Sequence, residues 1–301
     1  MPQCIEKYKR GRHLPSVKSI DMSNRIQATF AQLHTKGEKA LIPYIMAGDP
    51  TLAMTESLVL ALEQGGADLI ELGVPFSDPI ADGPVIQQAA ERALHSGTTL
   101  KNILATVTNL RKKTSIPLIL MAYYNSLMAM GITDFCANAV HAGVDGVIVP
   151  DLPPEESDLL YRAAQAAGGP VNIFLLAPTS TAERRRTVIQ RSHGFIYYVS
   201  LTGITGAKLT DLGKVRQSVQ QLQRTSKKPV AVGFGIASAE QAREVGQFAD
   251  GVIIGSALVR HISEHHSAPT FLTDIQGMAQ QWKSVLLPVT AKSSAIRKPK
   301  T

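Results

Sequence analysis

The chain has 301 residues, 44% of them hydrophobic and 18% charged, which suits one large domain or two ordinary ones and excludes disordered, collagenous and coiled-coil chains. The net charge of +7 sits at the two ends: residues 1–22 carry +3 (Lys7, Lys9, Arg10, Arg12 and Lys18 against Glu6 and Asp21) and residues 288–301 carry +4 (Lys292, Arg297, Lys298 and Lys300), leaving 23–287 neutral. A neutral body argues against nucleic-acid binding, and two distant cysteines, Cys4 and Cys136, argue against a disulfide scaffold or a cysteine-ligated zinc and suit a reducing compartment.

No apolar stretch follows the basic residues at the N-terminus, so no secretory signal is expected. Met22-Ser-Asn-Arg-Ile reads as an alternative start directly ahead of the first helix. The expected organisation is a basic extension 1–22, one body 23–287 and a basic tail 288–301.

Along the body, a helix is expected over 23–36. Apolar runs of strand length then recur at 40–46, 69–73, 118–121, 146–149, 171–176, 196–200, 230–233 and 251–254. Continuous apolar runs are the mark of strands covered on both faces, as in parallel sheets. Between them lie helical stripes. Ile132, Phe135, Cys136, Ala139 and Val140 form one, and Leu212, Val215, Val219 and Leu222 form another. Asp49-Pro50 and Asp82-Gly83-Pro84 place proline near helix starts, and Ser238-Ala-Glu-Gln241 reads as a capping box. Further helices are expected at 99–112 and 270–286. The uncharged stretch 114–133 contains Pro117, Asn125, Ser126 and Gly131, so a strand followed by a loop explains it better than a membrane span.

One junction recurs, at Gly66-Ala-Asp-Leu-Ile, Gly143-Val-Asp-Gly-Val-Ile and Ala249-Asp-Gly-Val-Ile. Each reads as a helix end feeding a strand. Eight strands alternating with helices over about 250 residues is the arithmetic of an α/β fold, a (β/α)8 TIM barrel with extra helices. An open doubly wound sheet lacks support, because no strand-turn-helix carries Gly-x-Gly-x-x-Gly.

Such a barrel builds its site at the C-terminal ends of the strands. Glu71 stands in an otherwise apolar strand just before its end, where it must point into the barrel mouth or pair with a cation. Asp78 and Asp82 follow on a proline- and glycine-rich loop. Two carboxylates, one on a strand and one on a loop, suit general acid/base chemistry; turn-capping aspartates are the plainer alternative. Small residues after the last three strands, Gly203 to Gly206, Gly233-Phe-Gly235 and Gly255-Ser256, leave backbone N–H groups free for a phosphate, or else simply close tight turns. His261 and His265 have metal-like spacing, but a solvated helix end explains them better. Arg184-Arg-Arg186 reads as a solvated face. Tyr123-Tyr-Asn125 either lines a pocket or packs.

The run Ile70-Glu-Leu-Gly-Val-Pro-Phe-Ser-Asp-Pro-Ile-Ala-Asp-Gly-Pro84 closely resembles the signature of the tryptophan synthase alpha chain family. The resemblance continues through Pro43 to Pro50, Val149 to Pro153, Gly203 to Gly206, Val232 to Ile236 and Ile254 to Ser256, and covers about 24–287. It implies retro-aldol cleavage of indole-3-glycerol phosphate to indole and glyceraldehyde 3-phosphate. Glu71 would be the general acid/base that protonates the ring carbon, and Asp82 would bind the indole N–H. Tyr44, Met121, Tyr123 and Tyr197 would line the substrate pocket, Thr205 would lie in a closing loop, and Gly206, Gly235, Gly255 and Ser256 would hold the phosphate. No metal and no cofactor is implied in this chain. The implied partner is a beta chain carrying pyridoxal phosphate, in an α2β2 tetramer that receives the indole for L-tryptophan synthesis. Cytoplasmic location is implied, or plastid stroma in a photosynthetic eukaryote. The chain departs from the family pattern at Met46, where threonine is common, and at Leu201, where many bacterial members have arginine. The first leaves open how Asp82 is held. A stand-alone indole-releasing lyase and a barrel that only activates a beta chain are the rival readings, and retention of both Glu71 and Asp82 argues against the second.

Overall fold

In the computed structural model, residues 24–199, 212–233 and 235–288 are described. Nine parallel strands run in the order β5-β4-β3-β2-β1-β9-β8-β7-β6. They are β1 (Ala40–Met46), β2 (Ile70–Gly73), β3 (Leu118–Met121), β4 (Gly146–Ile148), β5 (Val171–Ile173), β6 (Leu175–Leu176), β7 (Ile196–Val199), β8 (Val230–Gly233) and β9 (Gly251–Ile254). The expected eight become nine because the run 171–176 is split at Phe174. Its first half pairs with β4 and its second half with β7. One stretch of chain serves two neighbours, and the two ends of the sheet meet through Phe174. The fold is the expected TIM barrel with extra helices.

Helices surround the sheet: α1 (Arg25–Lys36), α2 (Leu52–Gln64), α3 (Pro84–His95), α4 (Leu100–Leu110), α5 (Tyr124–Met130), α6 (Ile132–Ala142), α7 (Asp158–Ala167), α8 (Ala182–Arg191), α9 (Leu212–Ser226), α10 (Ala239–Gly246), α11 (Ser256–His265) and α12 (Phe271–Ser284). The loop expected after β3 is instead α5, which the left-handed Gly131 separates from α6. Pro84 is the first residue of α3 as expected. Pro50 lies outside α2, because Thr51 is the residue whose hydroxyl caps that helix, on the Met54 N–H. In the capping box of α10 the Ser238 hydroxyl accepts from the Gln241 N–H, but the Gln241 side chain reaches back to Ala237 rather than to Ser238. The α6 stripe is buried except Val140, which is 37% exposed. Ala142 is buried in its stead, because the helix presents a slightly rotated face.

Strand parity divides the apolar residues between two cores. Residues pointing outward, such as Leu41, Ile70, Leu72, Leu118 and Val252, pack under the helices. Those pointing inward, such as Ile42, Leu69, Ile119, Ile173 and Ala231, fill the barrel. Helix α1 plugs the end from which the strands start: Ile26, Phe30 and Leu33 join the inner core, and Phe30 meets Phe195 at 5.5 Å between ring centroids.

The recurring junction has a structural meaning. The Asp68 carboxylate accepts the Leu41 N–H at 2.7 Å, that of Asp145 the Leu118 N–H at 2.9 Å, and that of Asp250 the Val230 N–H at 3.0 Å. Each aspartate thus ties its own strand to the start of a neighbouring one. Each is also neutralised or bridged: Asp68 by Lys283, Asp145 by Arg25 and Arg111, and Asp250 by Gln223.

Candidate active site

Glu71 lies opposite Tyr44 of β1 and Ile119 of β3 in the sheet register. Its neighbours Ile70 and Leu72 belong to the outer core, so alternation along the strand turns Glu71 into the barrel. It is 0% exposed. Among the described residues neither carboxyl oxygen has a hydrogen-bond partner, which removes the ion-paired reading of this residue there. Burial alone raises its pKa to about 8, because a charged carboxylate there would lose its hydration without compensation. At neutral pH Glu71 therefore holds a proton.

Asp82 reaches the same end of the barrel from the loop between β2 and α3. Its carboxylate accepts a hydrogen bond from the Tyr123 hydroxyl at 3.0 Å. Partial burial raises its pKa to about 6, and the Tyr123 bond works against that rise. Asp82 is thus ionised at neutral pH while Glu71 is not. Opposite protonation states suit one carboxyl to giving a proton and the other to stabilising positive charge. Both carboxyl groups bear on the hydroxyls of Tyr44 and Tyr197, whose ionisation burial and these neighbours suppress. Asp78 is exposed and bonded to Ser77, so it stays on the solvent side of the loop.

A cavity opens at the strand ends. Tyr44, Asp82, Met121, Tyr197, Gly235, Gly255 and Ser256 line it, so seven of the expected residues come together. Strand glycines make room for the phenols: a Cβ at Gly73 would collide with the Tyr44 hydroxyl, and one at Gly233 would come within 2.5 Å of that of Tyr197. Gly255 precedes α11 and Ser256 is its first residue. The free N–H groups of the first turn and the helix dipole favour an anion there. Thr205 and Gly206, with Leu201, lie outside the described residues.

The sequence reading missed Gly83, Ile86 and Ile253, which also line the cavity. Ile253 was legible from the same parity that turns Glu71 inward. Ile86 lies just inside α3, which only the folded loop brings to the mouth. Tyr123 packs beside the cavity rather than among its lining residues. Also missed was Asp49, 2% exposed, which takes two 2.8 Å hydrogen bonds from Arg92 and so ties α3 to the end of β1.

Of the remaining candidates, His261 departs from the expected solvated helix end: it is half-buried, and its Nε2 is buried with no hydrogen-bond partner among the described residues. Arg184 pairs with Glu155 and Arg185 with Gln221 on the surface. His261 and His265 stack on one another at 4.3 Å. Among the described residues no group of three or more His, Cys, Asp or Glu is arranged to hold a metal ion, and no helix is long and apolar enough to cross a membrane.

Comparison with known proteins identifies the family. The profile of the family described as "Tryptophan synthase alpha chain" matches residues 30–286. The tryptophan synthase alpha chain of Geotalea daltonii is 52% identical over 260 residues, covering 86% of this chain and 98% of that protein. That of Prochlorococcus marinus is 47% identical over 254 residues, covering 84% and 91%. Among solved structures, tryptophan synthase subunit alpha from Legionella pneumophila superposes with a TM-score of 0.81 at 40% identity, covering 87% of this chain and 98% of that one. With a family match over residues 30–286 and relatives covered over nearly their whole length, the chain belongs to the tryptophan synthase alpha chain family, lyases that cleave indole-3-glycerol phosphate.

Proposed function

We propose that Glu71 and Asp82 carry the retro-aldol cleavage. Protonated Glu71 donates its proton to the ring carbon that bears the glycerol chain. Positive charge then develops on the ring nitrogen, and the Asp82 carboxylate accepts the N–H and stabilises it. Glu71, now a carboxylate, takes the proton from the hydroxyl on the adjoining chain carbon. The bond between ring and chain breaks, its electron pair restores the aromatic ring, and the chain carbon becomes the aldehyde of glyceraldehyde 3-phosphate. Glu71 ends as it began, protonated, and no water is consumed. General acid/base help of this kind contributes about 10²–10⁴-fold in rate, and a fixed phosphate end supplies positioning. The observation that carries this reading is the unpartnered carboxyl of Glu71, protonated at neutral pH, at the same barrel mouth as an ionised carboxylate.

The phosphate end we assign to Gly206, Gly235, Gly255 and Ser256, the ring end to Tyr44, Met121 and Tyr197, and closure over substrate to the segment that carries Thr205. The chain works as the alpha half of an α2β2 complex, in the cytoplasm, and passes indole to a beta chain that holds the pyridoxal phosphate. Ile80, 85% exposed on the Asp82 loop, supports a partner surface at the mouth, since packing there would favour the closed loop. Indole release by the purified full chain, measured with and without a beta chain, tests both claims. Acceleration together with a larger complex is expected. Fast turnover by a chain that stays monomeric in the mixture would favour the stand-alone lyase instead.

A further inference from the structure

Asp82 is useful only if its carboxylate stays charged and aimed, yet it sits on a loop whose Ser77, Asp78 and Ile80 are exposed. Met46 brings no hydroxyl to it; that side chain is buried against Tyr44, Ile86 and Ala89. One side chain instead grips the loop at three points. The Tyr123 ring stacks on Phe76, with centroids 5.2 Å apart and planes 25° from parallel. Its hydroxyl accepts the Ala81 N–H at 3.0 Å and donates to Asp82 Oδ2 at 3.0 Å. Tyr123 is itself anchored. It is 4% exposed at the head of α5, and the next residue gives its N–H to the Asp151 carboxylate at 2.9 and 3.2 Å.

We propose that Tyr123 is a positioning residue, a latch that holds the loop 76–82 against the barrel and presents the Asp82 carboxylate to the substrate's ring nitrogen. The assignment rests on the role given to Asp82 above. It differs from a pocket-lining role, in which the ring would touch indole and act independently of Asp82. The groups that bear on Asp82 are Tyr44 from β1, Tyr123 ahead of α5 and Tyr197 from β7; Glu71 of β2 bears on the same Tyr44 and Tyr197, and Asp151 bears on Tyr123 from the loop after β4. Glu71 is protonated at neutral pH, the phenols are neutral, and Asp82 has no ion pair among the described residues. The Tyr123 hydroxyl is therefore the group that opposes the desolvation of Asp82. Without it the carboxylate would take up a proton at higher pH and lose its capacity to accept the indole N–H.

The test is kcat/KM for indole release between pH 5 and pH 9, which reports the free enzyme's ionisations. It is measured for the full chain, Tyr123→Phe, Asp82→Asn and the double variant. Tyr123→Phe keeps the ring and its stack on Phe76. The expected result is an acid limb moved up by about one pH unit, with activity down roughly tenfold on the acid side and close to normal near pH 8. In the Asp82→Asn background the same change should cost less than about twofold, because the latch has nothing left to present. A loss of equal size at every pH, or an undiminished loss beside Asp82→Asn, would overturn the latch. A parent chain that releases no indole would overturn the cleavage reading instead, and the two failures are distinct.

Discussion

The two ends of this barrel hold carboxylates in opposite ways. Where the strands start, Asp68, Asp145 and Asp250 each accept a backbone N–H, and each is bonded to a cation or an amide besides. Where the strands finish, Glu71 has no partner among the described residues and Asp82 is bonded to one phenol. The same chemical group serves stability at one end and, in the mechanism proposed above, reactivity at the other. Partners decide which: at the starting end the backbone and neighbouring side chains take up the carboxylate oxygens, whereas the unpartnered, desolvated Glu71 holds its proton at neutral pH.

The comparison is broken most severely at Glu71. Glu71→Gln removes the proton that moves, and turnover should fall by about 10²–10⁴-fold while substrate still binds. The same variant should fold more firmly. The folded pKa of Glu71 lies above that of the unfolded chain, so its contribution to stability is intact at acid pH and is lost as pH rises toward about 8. The glutamine variant should escape that loss, and its advantage in denaturant titrations should grow between pH 5 and pH 8. A variant less stable than the parent throughout would mean that Glu71 has a partner in the folded chain.

Asp145→Ala attacks the other end. It strands Arg111, which is mostly buried, and frees the Leu118 N–H, so a stability loss of about 3–5 kcal/mol is expected. Turnover per folded molecule should be unchanged. A change in kcat with little loss of stability would mean that the two ends are not separate in function.

Gly235→Asp is a smaller blow, aimed at the proposed phosphate site. Gly235 has φ +83°, a conformation that suits glycine, and it lines the cavity beside Ser256. A carboxylate there should repel the substrate phosphate and raise KM by roughly tenfold or more, about 1.4 kcal/mol. An unchanged KM in a folded variant would move the phosphate elsewhere. The smallest effect is expected at the termini. A chain of residues 22–288 should fold and cleave substrate as the full chain does, because the family match runs over 30–286 and the cavity-lining residues all lie between Tyr44 and Ser256. Insolubility or lost activity would give the ends a structural role.

Much of this was legible in the sequence because burial on both faces writes strands as unbroken apolar runs. Four of the eight expected strands have the observed bounds, at β1, β3, β8 and β9. Glu71 was legible for the same reason, as the one charge in such a run. The split at Phe174 was not, since nothing in six apolar residues says which neighbour each half will pair with. Val140 deceived because an ideal helical stripe fixes a face only to within a residue. The bond between Tyr123 and Asp82 joins side chains from different strand ends, and no spacing along the chain encodes it. The aspartate junctions were visible as a repeat, but their backbone partners appear only with the strand order.

The plug helix α1 carries a further consequence, for the order in which the protein is made. Its apolar side chains Ile26, Phe30 and Leu33 emerge before any of the strands, but they pack against Phe195 of the β7 region and share a core with Ala231 of β8 and Ile253 of β9. Strand β1 likewise finds one of its two neighbours in β9. At about 5–20 residues per second, the helix that closes the barrel waits roughly ten seconds or more for its seat to be synthesised. A helix made before every strand is thus among the last elements to be buried, and a nascent chain halted before β9 would leave that apolar stripe open to chaperones and to neighbouring chains.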